Sequence, residues 1–155
     1  MAVSTSHTIT IRNNISEKEG IQYVLSNYKE MFNPDAKIRK ELLKRFDIDQ
    51  RFAKAFDLIQ IPGSDNAIEE INIDDIEVIN FIELKTTKKK LLNNPSKFFF
   101  GATQNEFDLA DQLGNKYKFC FVSLHEESKS ACFLSKEDVF SIIQNKRIQF
   151  QINLK

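Results

Sequence analysis

The sequence predicts one α/β domain, a mixed-sheet α+β fold that spans all 155 residues. Three observations predict this class. The length suits a single domain, and apolar residues at 41% with charged residues at 28% are globular values. Stretches with the apolar spacing of amphipathic helices alternate along the chain with short β-branched or aromatic runs typical of strands. No apolar run approaches the roughly 20 residues needed to span a bilayer, so no membrane partner is expected.

Two helices are predicted near the N-terminus. Residues 1–15 are expected to be flexible or to form an edge segment. Residues 16–19 then form a capping box, and the apolar spacing predicts an amphipathic helix over 17–32 that ends before a proline. Asp35 is expected to cap a second helix. The segment 51–56 fits either a helical continuation or the start of a strand.

The middle of the chain is predicted to form the centre of the sheet. Residues 56–61, FDLIQI, have the composition of a strand and are followed by a Pro-Gly turn. Residues 64–75 fit a loop or a ragged strand. The strongly apolar, partly β-branched run within 76–90, IEVINFIELKTTKKK, predicts a central strand.

The second half of the chain is predicted to alternate strands with helices. Residues 98–100 fit a short apolar strand, and a second capping box at 103–106 begins a helix. Strands are expected at 117–124 and 130–134, joined by a turn, and Ser135 and Asp138 are expected to start a short helix after them. Residues 148–154 alternate apolar with polar side chains, which predicts a half-exposed, antiparallel C-terminal strand.

Charge and cysteine content bound the functional class. The formal net charge is zero, which argues against a uniformly basic surface that coats nucleic acid. Acidic side chains nevertheless dominate residues 65–77, and basic ones dominate 37–54 and 83–97, a distribution that suits a phosphate backbone led toward a metal site. Cys120 and Cys132 lack metal-ligand spacing and are interpreted as buried free thiols. With no secretory signal at the start of the sequence, a cytoplasmic location is expected.

The triplet Glu83-Leu84-Lys85 is the candidate chemical centre. Side chains alternate along a strand, so Glu83 and Lys85 share one face. Buried charges must be paired or used. One interpretation is an ion pair within the strand. The other is phosphodiester hydrolysis with Mg²⁺, or Mn²⁺ as a substitute, held by Glu83 and the Leu84 carbonyl while Lys85 orients or deprotonates a water or neutralises charge. The second interpretation lacks a carboxylate from a neighbouring strand.

The order of predicted elements and four sequence motifs resemble the PD-(D/E)xK superfamily, whose members have a restriction-endonuclease-like fold. Within it, the chain is most similar to the group around the C-terminal domain of the plant NO VEIN protein, found also in bacterial defence proteins. The resemblance covers about residues 17–124. The matching motifs are FDLIQI at 56–61, FIELKTT at 81–87, FFFGATQNEFDLA at 98–110 and YKFCFV at 117–122.

This resemblance implies an αβββαβ core, extended here by N-terminal helices and a C-terminal antiparallel strand. It also implies a Mg²⁺-dependent nuclease, a DNA endonuclease of the restriction or defence type that acts on double-stranded DNA. Asp57 matches the family aspartate, Glu83 the second carboxylate and Lys85 the lysine. Asp57, Glu83 and the Leu84 carbonyl would then be the metal ligands.

The aspartate is not fixed by the sequence. Asp57 ranks first because it sits in an apolar strand, where an unpaired carboxylate has no structural reason; a strand-edge salt bridge is the competing explanation. Asp65 follows the Pro-Gly turn at the possible start of a strand. Asp74 and Asp75 fit a turn, the usual place for paired aspartates.

Residues flanking the triplet are candidates for contact with nucleic acid. Lys88, Lys89 and Lys90 follow the central strand, and Gln104 lies at a helix N-terminus, where a phosphate can bind. Glu106 is expected to serve its own helix as part of the capping box. Three alternatives stay open: a catalytically inactive nucleic-acid-binding or protein-interaction module, an RNA endonuclease, and a junction resolvase. A homodimer or a partner subunit is plausible because one site cuts one strand.

Overall fold

The computed structural model describes residues 2–67 and 72–155, with the side chains of the first helix described from Ile15 onward. Four helices and five strands follow one another, joined in three places by short 3-10 turns. In chain order they are α1 (Ala2–Asn27), β1 (Met31–Phe32), α2 (Ala36–Arg45), a 3-10 turn (Gln50–Lys54), β2 (Leu58–Gln60), a second 3-10 turn (Ile73–Asp75), β3 (Asn80–Thr87), α3 (Gln104–Leu113), a third 3-10 turn (Gly114–Lys116), β4 (Tyr117–Ser123), β5 (Ser130–Leu134) and α4 (Lys136–Ser141).

The five strands form one mixed sheet in the order β1-β2-β3-β4-β5. Three of the pairings are antiparallel, and β3 with β4 is parallel. A parallel pair needs a crossover connection, and α3 lies within it. The mixed α/β class is therefore confirmed, with β3 as the central strand. Among the described residues, no helix combines the length and apolar character needed to cross a membrane.

Each face of the sheet is covered by its own hydrophobic core. Residues of α2, α3 and α4 pack with Phe81 on one face, and Val24 of α1 packs with Ile82 and Leu84 on the other. This division follows from the alternation of side chains along β3. The two faces of one strand therefore meet entirely different neighbours.

Helix α1 lies very close to the sheet. A Cβ atom added at Gly20 would fall 2.3 Å from the Cγ2 atom of Thr86 and 3.1 Å from Leu84 Cδ2. Only a residue without a side chain fits at that distance. Gly20 thus fixes where α1 crosses β3.

Three of the predicted helices are confirmed together with their caps. The Asp35 carboxylate accepts a hydrogen bond from the Ile38 amide at 2.8 Å and begins α2. Thr103 caps α3 in the same way, and Ser135 begins α4 as part of a capping box. The segment left open between helix and strand forms the 3-10 turn Gln50–Lys54.

The prediction for the N-terminal helix is wrong at both ends. Helix α1 begins at Ala2 and includes residues expected to be flexible, and the supposed capping box at 16–19 lies inside it. It ends at Asn27 rather than near residue 32 because Met31 and Phe32 are buried as a strand paired with β2. Met31 and Phe32 fit the apolar spacing of a helix as well as that of a strand. Their pairing with β2 determines that they form a strand.

The predicted strand at 98–100 is not formed. Phe98 and Phe100 pack edge-on against Phe121, each with its ring centroid 5.0 Å away. The strand β4 that carries Phe121 already pairs with a neighbour on each edge, so this segment finds no free edge there. Within 64–75, residues 73–75 form a 3-10 turn, and residues 68–71 lie outside the described part of the chain.

The predicted C-terminal strand is not formed either. Residues 148–154 have no strand assignment, and their four apolar side chains are 75–89% exposed. Alternation of side chains supplies an apolar face, but a strand also needs a pairing edge. In this structure the segment pairs with none of the five described strands.

Candidate active site

The candidate site lies where β2 begins and β3 continues past it. The antiparallel register pairs Leu58 with Ile82, and the Asp57 amide donates to the Ile82 carbonyl at 2.8 Å. The Asp57 carboxylate also accepts from the Leu84 amide, so Asp57 bonds to the residues on both sides of Glu83. The Asp57 charge lies close enough to help raise the pKa of Glu83. The structure thus supplies the neighbouring carboxylate that the triplet alone lacks.

The Asp57 carboxylate is held by the backbone of β3. Its Oδ2 atom accepts a hydrogen bond from the Leu84 amide at 2.7 Å. The N–H and C=O groups of one strand residue point to the same side of the strand. The Leu84 carbonyl therefore faces the same edge as the Asp57 carboxylate, beyond the first residue of β2.

Glu83 has one engaged oxygen and one orphaned oxygen. Its Oε1 atom lies 2.9 Å from Lys85 Nζ, whereas Oε2 is buried without a hydrogen-bond partner. The residue is only 6% exposed. Burial, reinforced by the nearby Asp57 charge, raises the pKa of Glu83 well above its usual value, although Lys85 opposes the rise. A buried oxygen of this kind is either a cost to folding or a free ligand position.

Lys85 bridges two carboxylates. Its Nζ atom lies 2.9 Å from Glu83 Oε1 and 2.8 Å from Glu106 Oε2, and its side chain is 10% exposed. Burial alone would lower the pKa of Lys85, but the two carboxylates outweigh burial and raise it. The side chain is therefore a firmly charged ammonium, which favours charge neutralisation over proton abstraction.

Glu106 is a site residue that the sequence reasoning missed. The expectation that it serves only its own helix is wrong: Oε1 accepts from the Thr103 hydroxyl at 3.2 Å, while Oε2 reaches Lys85. The signal was present in the order of elements. A helix that connects two parallel strands begins near the carboxyl end of the first strand, and Lys85 lies toward that end of β3.

Arg39 is a second missed residue. Its guanidinium donates to the carbonyls of Ala53, Phe56 and Asp57, the last at 2.7 Å, and its carbon lies 4.8 Å from the centroid of the Phe56 ring. It thereby ties α2 to the residue where β2 begins. No spacing rule in the sequence links position 39 to position 57, since the contact arises only from the packing of α2.

Glu17 brings a further acidic side chain near Asp57. Burial raises the pKa of Asp57, the Leu84 amide lowers it, and the Glu17 charge raises it again. Glu17 lies three residues before Gly20 on α1, so the two share the helix face that packs on β3. Glu17 is exposed and thus adds negative charge near Asp57.

The other candidate aspartates lie elsewhere. Asp65, Asp74 and Asp75 are all exposed. Asp65 accepts from the Ala67 amide at 3.0 Å, and the Asp74 amide and Asp75 carboxylate both bond to the Asn72 side chain. They stabilise local turns, and Asp57 is the aspartate that the structure brings to Glu83.

The side chains predicted to contact nucleic acid do not bond to the charged residues of the site. Lys88, Lys89 and Lys90 are exposed; Lys88 pairs with Glu19 at 3.4 Å and Lys90 with Glu127. Gln104 donates to the Asp108 carboxylate at 2.8 Å. In the described part of the chain, none of these four side chains bonds to Glu83 or Lys85.

Few groups at the site are available to bind a metal ion. Within residues 2–67 and 72–155 no cluster of three or more His, Cys, Asp or Glu side chains is arranged to hold a metal ion. Mg²⁺ is usually bound through one or two carboxylates together with water and substrate phosphate. Asp57, Glu83 and the Leu84 carbonyl meet that smaller requirement.

One cavity lies away from these carboxylates. It has a volume of about 460 Å³ and is lined by residues of α1, β1, α2 and β2, including Leu25, Phe32 and Ile59. No residue of the candidate site lines it. The charged cluster is therefore separate from this cavity.

Comparison of the chain with protein-family models, curated protein sequences and solved structures finds no match. The argument for function therefore depends on the site itself.

Proposed function

We propose that this protein is a Mg²⁺-dependent nuclease that hydrolyses phosphodiester bonds, with double-stranded DNA as the substrate. The observation that carries the proposal is that Asp57 bonds to the residues on both sides of Glu83, beside a lysine, with one Glu83 oxygen buried and unpartnered. A structural ion pair explains the Lys85 contact but leaves that oxygen without a role.

The residues present fit a hard cation. Asp57, Glu83 and the Leu84 carbonyl would hold it, because carboxylate and carbonyl oxygens are the ligands Mg²⁺ prefers, and Mn²⁺ can replace it. When bound, such an ion neutralises phosphate charge and lowers the pKa of a coordinated water. A cation also removes the cost of the buried Glu83 oxygen, because it favours the ionised carboxylate.

Lys85 supplies positive charge where a phosphate approaches. Its raised pKa keeps it protonated at neutral pH, so it acts as an electrostatic stabiliser of developing negative charge rather than as a base. Glu106 and Thr103 hold the ammonium in place from α3. This assignment favours one of the roles that the sequence leaves open for Lys85.

The order of elements also supports the proposal. One helix precedes three strands in antiparallel succession, and a crossover helix leads to a strand parallel to the third. With α2 inserted between β1 and β2, this is the succession expected of a restriction-endonuclease-like core. The restriction or defence role, and the preference for DNA over RNA or a junction, follow from the sequence resemblance alone.

A second candidate is a catalytically inactive module that binds nucleic acid or protein through the same fold. The observation that favours it is the tight closure of Lys85 between two carboxylates, with each of these side chains no more than 10% exposed. Such a cluster can be purely structural. This candidate predicts salt-sensitive binding of nucleic acid without metal-dependent cleavage.

Cleavage of supercoiled plasmid with and without Mg²⁺ tests the proposal. We expect the wild type to cut only with Mg²⁺ or Mn²⁺, and we expect Glu83→Gln, Lys85→Met and Asp57→Asn each to lose about 10²–10⁴-fold in rate. Parallel assays on RNA and on a four-way junction separate the nuclease classes.

The matched controls are Asp65→Asn and Asp74→Asn, which make the same chemical change on exposed turns. They should cut like the wild type, and circular dichroism should show every variant folded. Equal cutting by the wild type, Glu83→Gln and Lys85→Met would exclude this site as the catalytic centre. Binding of DNA that weakens with salt, in the absence of any cutting, would instead establish the second candidate.

A further inference from the structure

Exposed apolar side chains are concentrated at the C-terminal end of the described chain. Of the eleven large hydrophobic residues recorded as exposed among the described residues, seven lie between positions 140 and 154. Scattered exposed apolar residues are normal on a protein surface, but a contiguous group marks an interaction site. The seven are Phe140, Ile142, Ile143, Ile148, Phe150, Ile152 and Leu154.

The C-terminal tail, defined here as residues 147–155, has the pattern of a strand. Ile148, Phe150, Ile152 and Leu154 alternate with polar residues, so an extended backbone would place all four on one face. In the structure this segment has no strand assignment and no partner among the described residues. The tail therefore has the side-chain pattern of a strand but does not pair with one.

The sheet offers one edge long enough to receive such a strand. At one end, β1 has only two residues. At the other end, β5 has five residues, Ser130–Leu134, and pairs only with β4. Because an open strand edge presents unpaired N–H and C=O groups, β5 is a template for an added strand.

We propose that the tail of one copy of this chain adds as a strand to the β5 edge of a second copy, giving a reciprocal dimer. Within its own chain the tail does not pair with β5, which pairs only with β4 among the described strands. Phe140, Ile142 and Ile143, at and just after the end of α4, add exposed apolar side chains between β5 and the tail in the sequence. When two copies exchange an identical element, the dimer has two-fold symmetry. Both tails and both β5 edges are then paired.

The area available is sufficient for a stable dimer. One aromatic side chain buries roughly 150–250 Å², and Phe150 occurs once on each of two exchanged tails, with three aliphatic residues beside it. Together with two added strand ladders, the total reaches the roughly 1,000 Å² that a specific interface needs. The proposal does not depend on nuclease activity.

Sedimentation of the full chain as a function of concentration tests this proposal. We expect a dimer for the wild type and a monomer for Phe150→Asp/Ile152→Asp, which places two charges on the apolar face. The matched control, Gln149→Asp/Gln151→Asp, adds the same charge on the opposite face of the same segment and should remain dimeric.

Hydrogen exchange distinguishes the remaining outcomes. In the wild type, amides of both the tail and β5 should be protected at high concentration and lose that protection on dilution. A monomeric wild type with an unprotected tail overturns the proposal. A monomer whose tail is protected at every concentration also overturns it, because the tail then pairs within its own chain. A dimer that persists in Phe150→Asp/Ile152→Asp places the interface elsewhere and likewise refutes it.

Discussion

The two faces of β3 bury the same backbone in opposite ways. On one face, Ile82 and Leu84 pack against α1 in a hydrophobic cluster. On the other, Glu83 and Lys85 lie close to the carboxylates of Asp57 and Glu106. Burial is equal, since Glu83 is 6% exposed and Leu84 is 5% exposed. Two equally buried faces therefore impose very different energetic demands on one strand.

Physical chemistry assigns the two faces different tasks. Burying an aliphatic side chain is favourable by about 1.5–3 kcal/mol, so the α1 face stabilises the fold. Burying three charges costs several kcal/mol per ion, which their mutual attraction only offsets when the geometry is good. An orphaned Glu83 oxygen shows that the offset is incomplete. A face that stores such a cost is the one expected to bind a ligand.

The largest predicted effect on stability is the loss of Lys85. Lys85→Ala leaves Glu83 and Glu106 buried without their shared cation, and we expect a loss of about 3–5 kcal/mol in the free energy of unfolding at pH 8. Urea denaturation measures it. On the opposite face, Leu84→Met conserves volume and should cost less than about 1.5 kcal/mol.

The double substitution Glu83→Gln/Lys85→Met sharpens this comparison. It removes the bridging pair together, so it should be less destabilising than Lys85→Ala even though it changes two residues. If Lys85→Ala unfolds with the same midpoint as the wild type, the charged cluster is more hydrated than its burial indicates, and the contrast between the faces fails.

A smaller effect is expected on the α1 face. Gly20→Ala places a methyl group 2.3 Å from Thr86 Cγ2, which belongs to a short, branched side chain with little freedom to move. Either α1 or β3 must shift, and overpacking of this kind costs about 1–3 kcal/mol. Thermal unfolding measures the loss.

Removing the opposing methyl group provides the control. Thr86→Ser deletes Cγ2, so Gly20→Ala/Thr86→Ser should recover a part of the stability that Gly20→Ala loses. The remaining contact, 3.1 Å from Leu84 Cδ2, limits the recovery. Additive losses in the double variant would mean that the two positions do not meet.

How far the sequence predicts the fold differs between local and long-range features. The caps of α2, α3 and α4 depend on residues within four positions of one another, and the sequence predicts all three correctly. Strand existence needs a partner that the local pattern does not name. Residues 98–100 and 148–154 both have strand composition, yet neither pairs with a strand of the described sheet. Conversely, Met31 and Phe32 become a strand only because β2 lies beside them.

The candidate site divides in the same way. Glu83 and Lys85 are two residues apart on one strand, so their shared face follows from alternation. The argument that an unpaired carboxylate in an apolar strand needs a role ranks Asp57 first, and the structure does bring it to Glu83. Glu106 and Arg39 arrive from α3 and α2 through packing. The residues next to them in the sequence explain both as ordinary helix residues, so no local pattern identifies them as part of the site.

The smallest predicted effect is a pH dependence confined to the charged face. Burial raises the folded-state pKa of Glu83 above its unfolded value, so its protonation contributes stability that is complete below the unfolded pKa and is lost as pH rises through the raised pKa. The wild type should thus lose stability over this range relative to Glu83→Gln, by at most about 1.4 kcal/mol per pH unit for one proton. Urea unfolding of both proteins between pH 4.5 and 9, without divalent metal, measures the difference.

Asp65→Asn serves as the control and should parallel the wild type. Parallel curves for the wild type and Glu83→Gln would show that burial does not shift the pKa of Glu83 and would place water beside its free oxygen. Diverging curves that converge when Mg²⁺ is added would tie the free-energy cost of burying this face to the ion that it is proposed to bind.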